Sequence, residues 1–580
     1  MGSLTVKTYP FSQEGNECCR IEDKGKDWPV VYLINNDSEI YIGETSNLYN
    51  RFKQHRENPA RHKLKTVNVI YDDEFNKSAI LDIEQYLIQY IGADNKFKLQ
   101  NLNGGQSSRH NYYQRAKYLD KLDLIWNRLS AKGLTNHSLL DIRNENLFKF
   151  SPYTTLTQEQ NIVCNGIMEN ILDSLKTGKE GTAVIEGSVG TGKTVVLINL
   201  IYKIVNASRF NIDPDDDLDY DNESLKLLME LKKQIIRLGR ELKVAFVVPM
   251  DSIRTTISKV FQASKSGLKS SLVMGPLDIS REHFDIVFVD EAHRLPRYKN
   301  IMYREAYIKA CSRLGLDYET STTLDMIMKN SQFRVLVYDG DQRVKETDIT
   351  PEQFADTICK GPVYNHALDT QMRCKGGQPY IHYIENILSA ENNLEFKEIQ
   401  NYDFLLYDDV GKMVDRIKEL DAKYGLCRTV AGYSWKWISK GEKSYQSVLD
   451  KGLQDIDIEG NKFVWNMCNR EFLLSENAVN EIGCIHTTQG YDINYVGVIF
   501  GPEIDYDFAS EKITIDISKF YDSNVKNGAG EEDVKTYILN AYRTLMGRGI
   551  RGCFVYACNP NYRKYLSKFI KSASDKGNIT

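Results

Sequence analysis

Residues 187–194, GSVGTGKT, match the pattern G-x-x-x-x-G-K-[ST] at every fixed position. The apolar run TAVIE precedes this segment, and the helical run VVLINLIYKIV follows it. A glycine-rich loop between a strand and a helix lets backbone N–H groups and the helix N-terminus surround phosphate groups. Gly187, Gly190 and Gly192 are therefore expected to shape a phosphate loop. Lys193 is expected to contact the β- and γ-phosphates of a nucleotide and Thr194 to hold Mg²⁺.

Short apolar runs alternate with helix-length segments from residue 150 onwards, among them KVAFVVP, FDIVFVDEA, FRVLVYDGD and YVGVIFGP. This alternation predicts parallel sheets with both faces covered by helices. We therefore expect a multidomain α/β protein. The predicted boundaries are residues 1–110 for a small α/β domain, 111–150 for a helical connector, 151–363 for a first parallel-sheet domain and 364–580 for a second. An acidic insertion near residues 205–243 interrupts the first of these, and DPDDDLDYDNE within it is expected to be a solvated loop, with DNA mimicry as the less favoured alternative.

Two further strand ends carry polar residues suited to nucleotide hydrolysis. In FDIVFVDEAH, Asp290 is expected to bind Mg²⁺ through water and Glu291 to orient the attacking water. In FRVLVYDGDQ, Gln342 is a candidate sensor of the γ-phosphate, and an ordinary polar turn is the alternative.

The order of these motifs resembles superfamily 1 helicases, and most closely the schlafen-type helicase-like group, over residues 150–570. The resemblance implies two RecA-like domains, ATP as cofactor and movement along nucleic acid. In LTQEQ it implies that Gln160 reads adenine, in LDTQMRC that Arg373 contacts ATP, and in NAYRTLMGRGIRG that Arg548 is the arginine finger. IGCIHTTQGYD resembles the DNA-coupling segment. Gly547 stands where relatives commonly carry threonine, which leaves the choice between Arg548 and Arg551 open.

Three aromatic residues in AGYSWKW, a stretch similar to one in the schlafen-type group, allow two interpretations. Tyr433, Trp435 and Trp437 could stack on bases. Packing in a core explains the same residues at least as well, because large aromatic side chains are usually buried.

VYLINNDSEIYIGETSNLYNRFKQH, residues 31–55, predicts two short strands, a turn and a helix that Thr45 or Ser46 would cap. The strands carry Tyr32 and Tyr41. Arg51 and His55 are four residues apart on the helix and point to the same side. Two phenols, a guanidinium and an imidazole on one patch would suit phosphodiester cleavage better than a packed core.

Glu84 lies on the apolar face of a predicted helix, SAILDIEQYLIQYIG, that Ser78 would cap. A carboxylate there costs several kcal/mol unless it is paired or binds a metal. From these residues alone, a buried Glu–Arg pair and a metal site explain Glu84 equally well.

The segments VVY, YIG and LQNLNGGQ, taken with Arg51, His55 and Glu84, resemble a GIY-YIG nuclease over residues 28–110. The resemblance implies that Tyr32 is the general base, Tyr41 contacts phosphate or water, Arg51 stabilises phosphorane charge and His55 assists proton transfer. Glu84 would be the only protein ligand of Mg²⁺ or Mn²⁺, and Asn101, or Asn103 as the alternate, would position the end of the site. Val30 departs from the glycine that is common in this family.

The chain has a formal net charge of −5, so nucleic acid would have to bind through local basic patches. Residues 51–65 contain several basic residues and a single acid. Residues 95–119 contain basic residues interleaved with aromatic residues and no acid. This pattern fits phosphate contacts and base stacking, although a solvated basic face looks similar. The 11 cysteines include no C-x-x-C pair, which favours a reduced, cytoplasmic protein, and no run is long enough to span a membrane.

These features together predict an ATP-dependent nuclease-helicase that acts on nucleic acid, DNA more than RNA, in DNA processing or in defence against foreign DNA. The biological role comes from the resemblance. Two alternatives stay open: an RNA-directed enzyme, and a nucleotide-gated sensor whose ATPase regulates the nuclease without unwinding.

Overall fold

The computed structural model describes residues 4–21, 24, 26–101, 112–187, 190–209, 222–299, 301, 303–340, 346–371, 373–391, 394–467, 472, 475, 477–488, 491–526 and 530–575. The chain forms two compact units. The first comprises Met1–Lys179, Thr194–Val244 and Ile257–Val273, and the second comprises Glu180–Lys193, Ala245–Thr256 and Met274–Thr580.

A five-stranded sheet in the order β1-β4-β2-β3-β5 forms the N-terminal part of the first unit. Its elements are β1 (Thr5–Pro10), α1 (Gln13–Ile21), β2 (Val30–Asn35), β3 (Glu39–Thr45), α2 (Leu48–Glu57), β4 (Thr66–Tyr71), α3 (Lys77–Asp94) and β5 (Lys98–Leu99). The predicted hairpin is present, because β2 and β3 pair antiparallel with Tyr32 opposite Gly43. The predicted caps are wrong: Asn47 caps α2 and Asn76 caps α3, since their side-chain oxygens accept the free N–H groups of the first turns.

Helices follow the sheet in the first unit: α4 (Arg115–Ala131), α5 (Leu139–Asn144), α6 (Asn146–Lys149) and α7 (Gln158–Thr177). Helix α4 binds the preceding domain through ion pairs of Arg115 with Asp82, at 2.8 Å, and of Lys121 with Asp72, also at 2.8 Å. Both carboxylates are fully buried and the two cations partly exposed, so loss of either cation would leave a buried carboxylate without its charge partner. The boundaries proposed for the connector and the other domains stay a prediction.

A six-stranded sheet in the order β11-β6-β10-β9-β7-β8 follows. Its elements and the helices between them are β6 (Gly181–Gly187), α8 (Lys193–Asn206), α9 (Asn222–Leu238), β7 (Val244–Val247), α10 (Asp251–Ala263), β8 (Val273–Met274), β9 (Phe284–Val289), α11 (Arg304–Leu314), α12 (Thr323–Lys329), β10 (Ser331–Tyr338), α13 (Pro351–Ile358) and β11 (Val363–Leu368). Strands β11, β6, β10 and β9 are parallel, so their carboxyl ends share one edge. Residues 210–221, which hold most of the predicted acidic loop, lie outside the described residues.

An eight-stranded sheet in the order β14-β15-β16-β13-β17-β20-β12-β21 completes the second unit, beside a hairpin of β18 and β19. The elements are α14 (Gly377–Leu388), β12 (Asp403–Leu406), α15 (Val410–Tyr424), β13 (Arg428–Ala431), α16 (Tyr445–Asp450), β14 (Ile456–Ile458), β15 (Asn461–Trp465), β16 (Glu481–Gly483), α17 (Ile485–Thr488), β17 (Ile493–Phe500), β18 (Ile504–Asp507), β19 (Lys512–Ile515), α18 (Ser523–Lys526), α19 (Glu531–Met546), β20 (Gly549–Ala557), α20 (Pro560–Leu566) and β21 (Lys571–Ser572). Only β14 pairs antiparallel among the pairings described for this sheet.

The predicted fold class is confirmed: a small α/β domain precedes two sheets built mainly of parallel strands. Each of these two sheets has its own buried apolar clusters, as expected for helix-covered parallel strands. Within the described part of the chain, no helix has the length and apolar character needed to cross a membrane.

Candidate functional sites

The hairpin places two tyrosines on one face of the N-terminal sheet. Tyr32 on β2 is 1% exposed and Tyr41 on β3 is 5% exposed, and their ring centroids are 6.3 Å apart. Gly43 faces Tyr32 so closely that a Cβ at position 43 would lie 2.4 Å from the phenol oxygen. The glycine of YIG is therefore required for the close approach of the Tyr32 side chain.

Helix α2 brings Arg51 and His55 to the same phenol, as their spacing predicts. Nε2 of His55 lies 2.7 Å from Oη of Tyr32, and Nε of Arg51 donates to this oxygen at 3.4 Å. The His55 ring is 5.0 Å from the Tyr41 ring. The structure thus gathers all four of these predicted residues into one cluster.

Sequence reasoning missed a fifth member, Arg61, in the short 3₁₀ helix Pro59–Arg61. Its guanidinium carbon lies 3.4 Å from the centroid of the Tyr41 ring, and Nη1 lies 2.7 Å from Nδ1 of His55. Arg61 is 5% exposed. The run RFKQHRENPARHKLK predicts nucleic-acid contacts or a solvated basic face, but this one arginine is buried in the cluster.

Burial controls the protonation of this cluster. Burial raises the pKa of the Tyr32 phenol well above its usual value, and the nearby Tyr41 adds to the effect, while Arg51 and Arg61 oppose it. Burial and the charges of Arg61 and Arg51 lower the pKa of His55 well below its usual value. Tyr32 is therefore a neutral phenol and His55 a neutral imidazole near pH 7.

The other two predicted residues of the nuclease domain are also buried. Glu84 lies on α3 and is 1% exposed. Asn101 holds strand β3, because its side chain accepts from the N–H of Ile42 at 3.0 Å and donates to the Ile42 carbonyl at 2.8 Å. Asn103 lies outside the described residues. The described residues include no group of three or more His, Cys, Asp or Glu side chains that could hold a metal ion.

The predicted phosphate loop joins β6 to α8. Gly190 and Gly192 have φ angles of +87° and +83°, which glycine adopts without strain. Lys193 is 7% exposed, donates to the carbonyl of Gly187 and lies 3.8 Å from the carboxylate of Asp339. Burial lowers the pKa of Lys193, and Asp339, Glu291 and Asp290 oppose that shift. Thr194 follows Lys193 in the first turn of α8.

Asp339 is a second residue that sequence reasoning missed. It directly follows β10, which is the neighbour of β6 in the sheet, so it reaches the same edge as the phosphate loop. The rule that ligands bind at the carboxyl ends of parallel strands could have identified it. The nearby Gln342 lies outside the described residues, so its predicted role stays a prediction.

The end of β9 carries the predicted carboxylates. Asp290 is 2% exposed, and its N–H donates to the carbonyl of Val247 at 3.1 Å. Glu291 has a φ of +51°, an unusual value for a residue with a side chain and one that is common at functional sites. Burial raises the pKa of Glu291, but His293, Lys193 and Arg294 outweigh burial and hold it well below the usual range.

Arg373 reaches the phosphate loop from the segment after β11. Its N–H donates to the carbonyl of Gly190 at 3.2 Å, and its guanidinium forms an ion pair with Asp492. Asp492 belongs to the segment IHTTQGYD, so this pair links that segment to the phosphate loop within the second unit.

Arg548 and Arg551 have different surroundings. Arg548 is 2% exposed, and burial together with Arg373 lowers its pKa to about 9, while Glu291 and Asp492 oppose that shift. Arg551 stacks on the Tyr424 ring at 4.5 Å and donates to Asn494 at 3.4 Å. Arg548 is thus the arginine that interacts with the groups around the phosphate loop.

Polar atoms in this region fit a bound nucleotide. Nη1 of Arg373, Nε of Arg548 and Oε2 of Glu291 are buried and have no hydrogen-bond partner among the described residues. Buried donors of this kind cost free energy unless a ligand satisfies them. The triphosphate of ATP would supply acceptors for both arginines.

Gln160 helps to cap helix α7 in the first unit. Its side-chain oxygen accepts from the N–H of Thr157 at 3.0 Å, and its own N–H donates to the Thr157 hydroxyl at 3.2 Å, which forms a capping box on α7. The reading of adenine by Gln160 stays a prediction.

The structure bears on the interpretation of two segments, one aromatic and one basic. Tyr433, Trp435 and Trp437 are partly buried and pack against the apolar core of the eight-stranded sheet, which favours core packing over base stacking. In the segment 95–119, Arg115 and Lys117 pair with the acids Asp82 and Glu74. These two basic residues thus have acidic partners within the chain, and the nucleic-acid contacts of the segment stay a prediction.

The fold and the two clusters define a class of protein, a GIY-YIG nuclease joined to a helicase-like P-loop ATPase. The GIY-YIG catalytic domain family matches residues 29–100. The family described as Schlafen group 3, DNA/RNA helicase domain matches residues 180–559, and the chain belongs to this family. Both predicted resemblances are confirmed, and the chain is a hydrolytic enzyme with endonuclease and ATPase/helicase domains.

Three relatives illustrate the similarity. The uncharacterized protein YPL245W of Saccharomyces cerevisiae is 28% identical over 412 residues, which cover 66% of this chain and 83% of the relative. The Pif1 helicase from Candida albicans is 12% identical with a TM-score of 0.25, and the match covers 72% of this chain and 98% of that one. The Pif1 helicase from Bacteroides, solved with ADP-AlF3 and ssDNA, is 11% identical with a TM-score of 0.25, and the match covers 70% and 94%.

Proposed function

We propose that this nuclease-helicase cleaves DNA with its N-terminal domain and moves along DNA with its ATPase. The observation that carries the nuclease half is the cluster of Tyr32, Tyr41, Arg51 and His55, in which the phenol oxygen of Tyr32 contacts both Arg51 and His55. A packed core gains nothing from four such groups, whereas phosphodiester hydrolysis needs a base, a charge-stabilising cation and proton carriers.

Each residue has a role in this proposal. Tyr32 takes the proton of the attacking water, Arg51 stabilises the negative charge that develops on the phosphorus oxygens, and Tyr41 contacts the phosphate or the water. Asn101 fixes β3 through its two bonds to Ile42. Because burial keeps Tyr32 neutral, the site needs additional positive charge when substrate binds.

A divalent cation would supply that charge. The buried carboxylate of Glu84 is a hard oxygen ligand, which suits Mg²⁺ or Mn²⁺ better than zinc. When bound, such an ion polarises the phosphate and lowers the pKa of water.

For the ATPase, we propose that Lys193 contacts the β- and γ-phosphates, Thr194 and Asp290 hold Mg²⁺, and Glu291 orients the water. Gln160 is proposed to read the adenine, and Gln342 to sense the γ-phosphate. The low pKa of Glu291 keeps it ionised at working pH and able to accept a hydrogen bond from water. Arg548 is the proposed finger and Arg373 a second phosphate contact, since both carry buried donor atoms without a partner among the described residues.

The test uses matched labelled DNA and RNA of the same sequence, single- and double-stranded, with Mg²⁺, Mn²⁺ or EDTA. Metal-dependent cleavage of DNA at least tenfold faster than of RNA supports the proposal. A preference for RNA would make the enzyme RNA-directed, and cleavage with no strand separation would favour a nucleotide-gated sensor. A cytoplasmic role in DNA processing or in defence against foreign DNA is part of the proposal. All described cysteines are free thiols, as in a reducing compartment.

A further inference from the structure

We propose that Arg61 is a positioning residue that holds His55 in its Nε2–H form, so that His55 donates a hydrogen bond to Tyr32 and does not accept its proton. This inference rests on the proposed cleavage of phosphodiesters at the same site. It concerns the direction of the Tyr32–His55 hydrogen bond, which the positions of heavy atoms alone do not give.

The argument begins with the two ring nitrogens of His55. Nδ1 lies 2.7 Å from Nη1 of Arg61, and Nε2 lies 2.7 Å from Oη of Tyr32. Both distances are those of good hydrogen bonds. The imidazole is 2% exposed, so contacts inside the protein, these two among them, determine the state of the ring.

A guanidinium group has donors only and stays protonated in proteins. Nδ1 of His55 must therefore be the acceptor and carry no proton. A neutral imidazole has a single N–H, which then lies on Nε2 and points at Tyr32. The protonated ring would place an N–H of His55 against the N–H of Arg61.

Arg61 is itself held in place by its surroundings. Its guanidinium lies over the face of the Tyr41 ring at 3.4 Å from the centroid, a close cation–π contact. The charged and titratable groups around His55 include Arg51 on its own helix, Arg61, Tyr32 on β2 and Tyr41 on β3. Among these, Arg61 contacts Nδ1 and Tyr32 contacts Nε2.

The consequence concerns the proton of Tyr32. Its oxygen accepts from His55 Nε2–H and from Arg51, so its own O–H is left for a third partner, which is the attacking water in the proposed function. When Tyr32 gives up this proton, the two donors already face the phenolate and stabilise it. Without Arg61, the proton of the neutral His55 ring could lie on Nδ1 instead of Nε2. The Tyr32 O–H would then donate a hydrogen bond to Nε2.

The first test reads the tautomer without catalysis. The full chain is labelled with ¹⁵N-histidine, and the two ring nitrogens of His55 are identified from their loss in His55→Gln. Wild type should show an unprotonated Nδ1 and a protonated Nε2, and Arg61→Met should shift both signals toward a mixture. Arg61→Lys, which keeps a donor, should resemble wild type, and the exposed His62 is the internal control. A protonated Nδ1 in wild type, or unchanged signals in Arg61→Met, would overturn the inference.

The second test measures cleavage. Arg61→Met should lower the single-turnover rate about 10- to 100-fold, as expected for a residue that orients a catalytic group. In a His55→Gln background, whose amide N–H can donate to Tyr32 without Arg61, the same change should cost less than about threefold, because coupled residues are not additive. Equal losses in the two backgrounds would make Arg61 a merely structural residue. Circular dichroism of each variant, and the milder Arg61→Lys, separate misfolding from lost positioning.

The two tests distinguish the inference from the proposed function. A wild type that cuts neither DNA nor RNA but shows the Nε2–H form would refute the nuclease function and leave the state of His55 as inferred. A wild type that cuts but holds His55 with its proton on Nδ1 would refute the inference and leave the nuclease function intact.

Discussion

Nε2 of His293 lies 3.0 Å from Oε2 of Glu291, on the turn that follows β9. Although burial raises the pKa of the Glu291 carboxyl, His293 is the first of the groups that outweigh burial and hold this pKa well below its usual range, ahead of Lys193 and Arg294. Glu291 therefore stays ionised and can accept a hydrogen bond from water.

From this we predict that Glu291→Gln keeps ATP bound but lowers the turnover of ATP by at least about 100-fold, because it removes the carboxylate that orients water. Binding of a fluorescent nucleotide and polymer-stimulated phosphate release should be measured on the same sample. Glu305→Gln, an exposed glutamate on α11, is the matched control. Turnover near the wild-type rate in Glu291→Gln would remove Glu291 from the proposed site.

The two candidates for the arginine finger, Arg548 and Arg551, should differ clearly in their effect on ATP hydrolysis. Arg548→Ala should lower the kcat of ATP hydrolysis by about 10³-fold or more, since an arginine finger has effects of that size. Arg551→Ala should stay within about threefold of wild type, because its guanidinium stacks on Tyr424 and donates to Asn494. Steady-state ATPase assays with saturating single-stranded DNA decide the matter. The reverse ranking would assign the finger to Arg551.

A pH-dependent effect on stability is expected at Glu481 on β16. Burial raises the pKa of this carboxyl to about 7, and one backbone N–H, from Met467, opposes the shift. The unfolded chain, with a pKa of 4.5, ionises first, so Glu481 costs nothing below pH 4.5, costs increasingly more up to pH 7 and a constant amount above it. Glu481→Gln should therefore raise the thermal midpoint at pH 8 and leave it nearly unchanged at pH 4.5.

The size of that gain is limited to about 1–3 kcal/mol, allowing for screening by partial solvent access. Glu459→Gln, at an exposed turn, should show no such dependence on pH. An equal change in midpoint for Glu481→Gln at both pH values would show that folding does not raise the pKa of this carboxyl.

Much of the fold and the site could be read from the sequence because local rules determine them. The phosphate loop, the hairpin and the i, i+4 pair of Arg51 and His55 each depend on a short pattern, and all three are present. The predicted helix caps differ from the observed caps by one or two residues, because the segments TSN and NKS each hold more than one residue that can cap a helix. Only the path of the chain decides which one has its side chain at the free N–H groups.

Arg61 and Asp339 could not be found in this way, because their roles depend on tertiary contacts. In the sequence, Arg61 is one of several neighbouring basic residues. In the structure, the turn after α2 places its guanidinium over the Tyr41 ring. The role of Asp339 is apparent only from the structure, in which β10 lies beside β6 and the Asp339 carboxylate faces Lys193. Likewise, the acids that pair with Arg115 and Lys121 are more than 30 residues away in the chain.

The nuclease should be separable from the ATPase. Glu84→Ala should abolish cleavage and its dependence on Mg²⁺ or Mn²⁺, whereas polymer-stimulated ATP hydrolysis should remain within about twofold, because Glu84 belongs to the nuclease domain and is not among the residues proposed to bind ATP. Arg51→Ala should give the same result. The exposed Glu57→Ala, on α2, is the control for the loss of a carboxylate. A Glu84→Ala protein that still cuts in Mg²⁺ would leave Glu84 as a structural acid.

The last prediction concerns the joining of two enzymes in one chain. A motor that pulls DNA past a tethered nuclease raises the effective concentration of phosphodiesters at the nuclease with no new contact. Helix α4 is fixed to the nuclease domain by the Arg115–Asp82 and Lys121–Asp72 pairs, so the first part of the tether is not a flexible chain. We therefore expect ATP to change the rate or the pattern of cleavage, although Glu84 carries the metal chemistry.

The measurement is cleavage of one long end-labelled DNA by wild type and by Lys193→Ala, each with and without ATP. Lys193→Ala removes the charge expected at the β- and γ-phosphates, and it should abolish ATP hydrolysis and the ATP effect on cleavage while basal cutting remains. Lys179→Ala, an exposed lysine before the same strand, should keep both. Identical products at identical rates in all reactions would mean two independent activities. A dependence on ATP that survives in Lys193→Ala would show that ATP binding suffices, as in a nucleotide-gated sensor, and that movement along DNA is not needed.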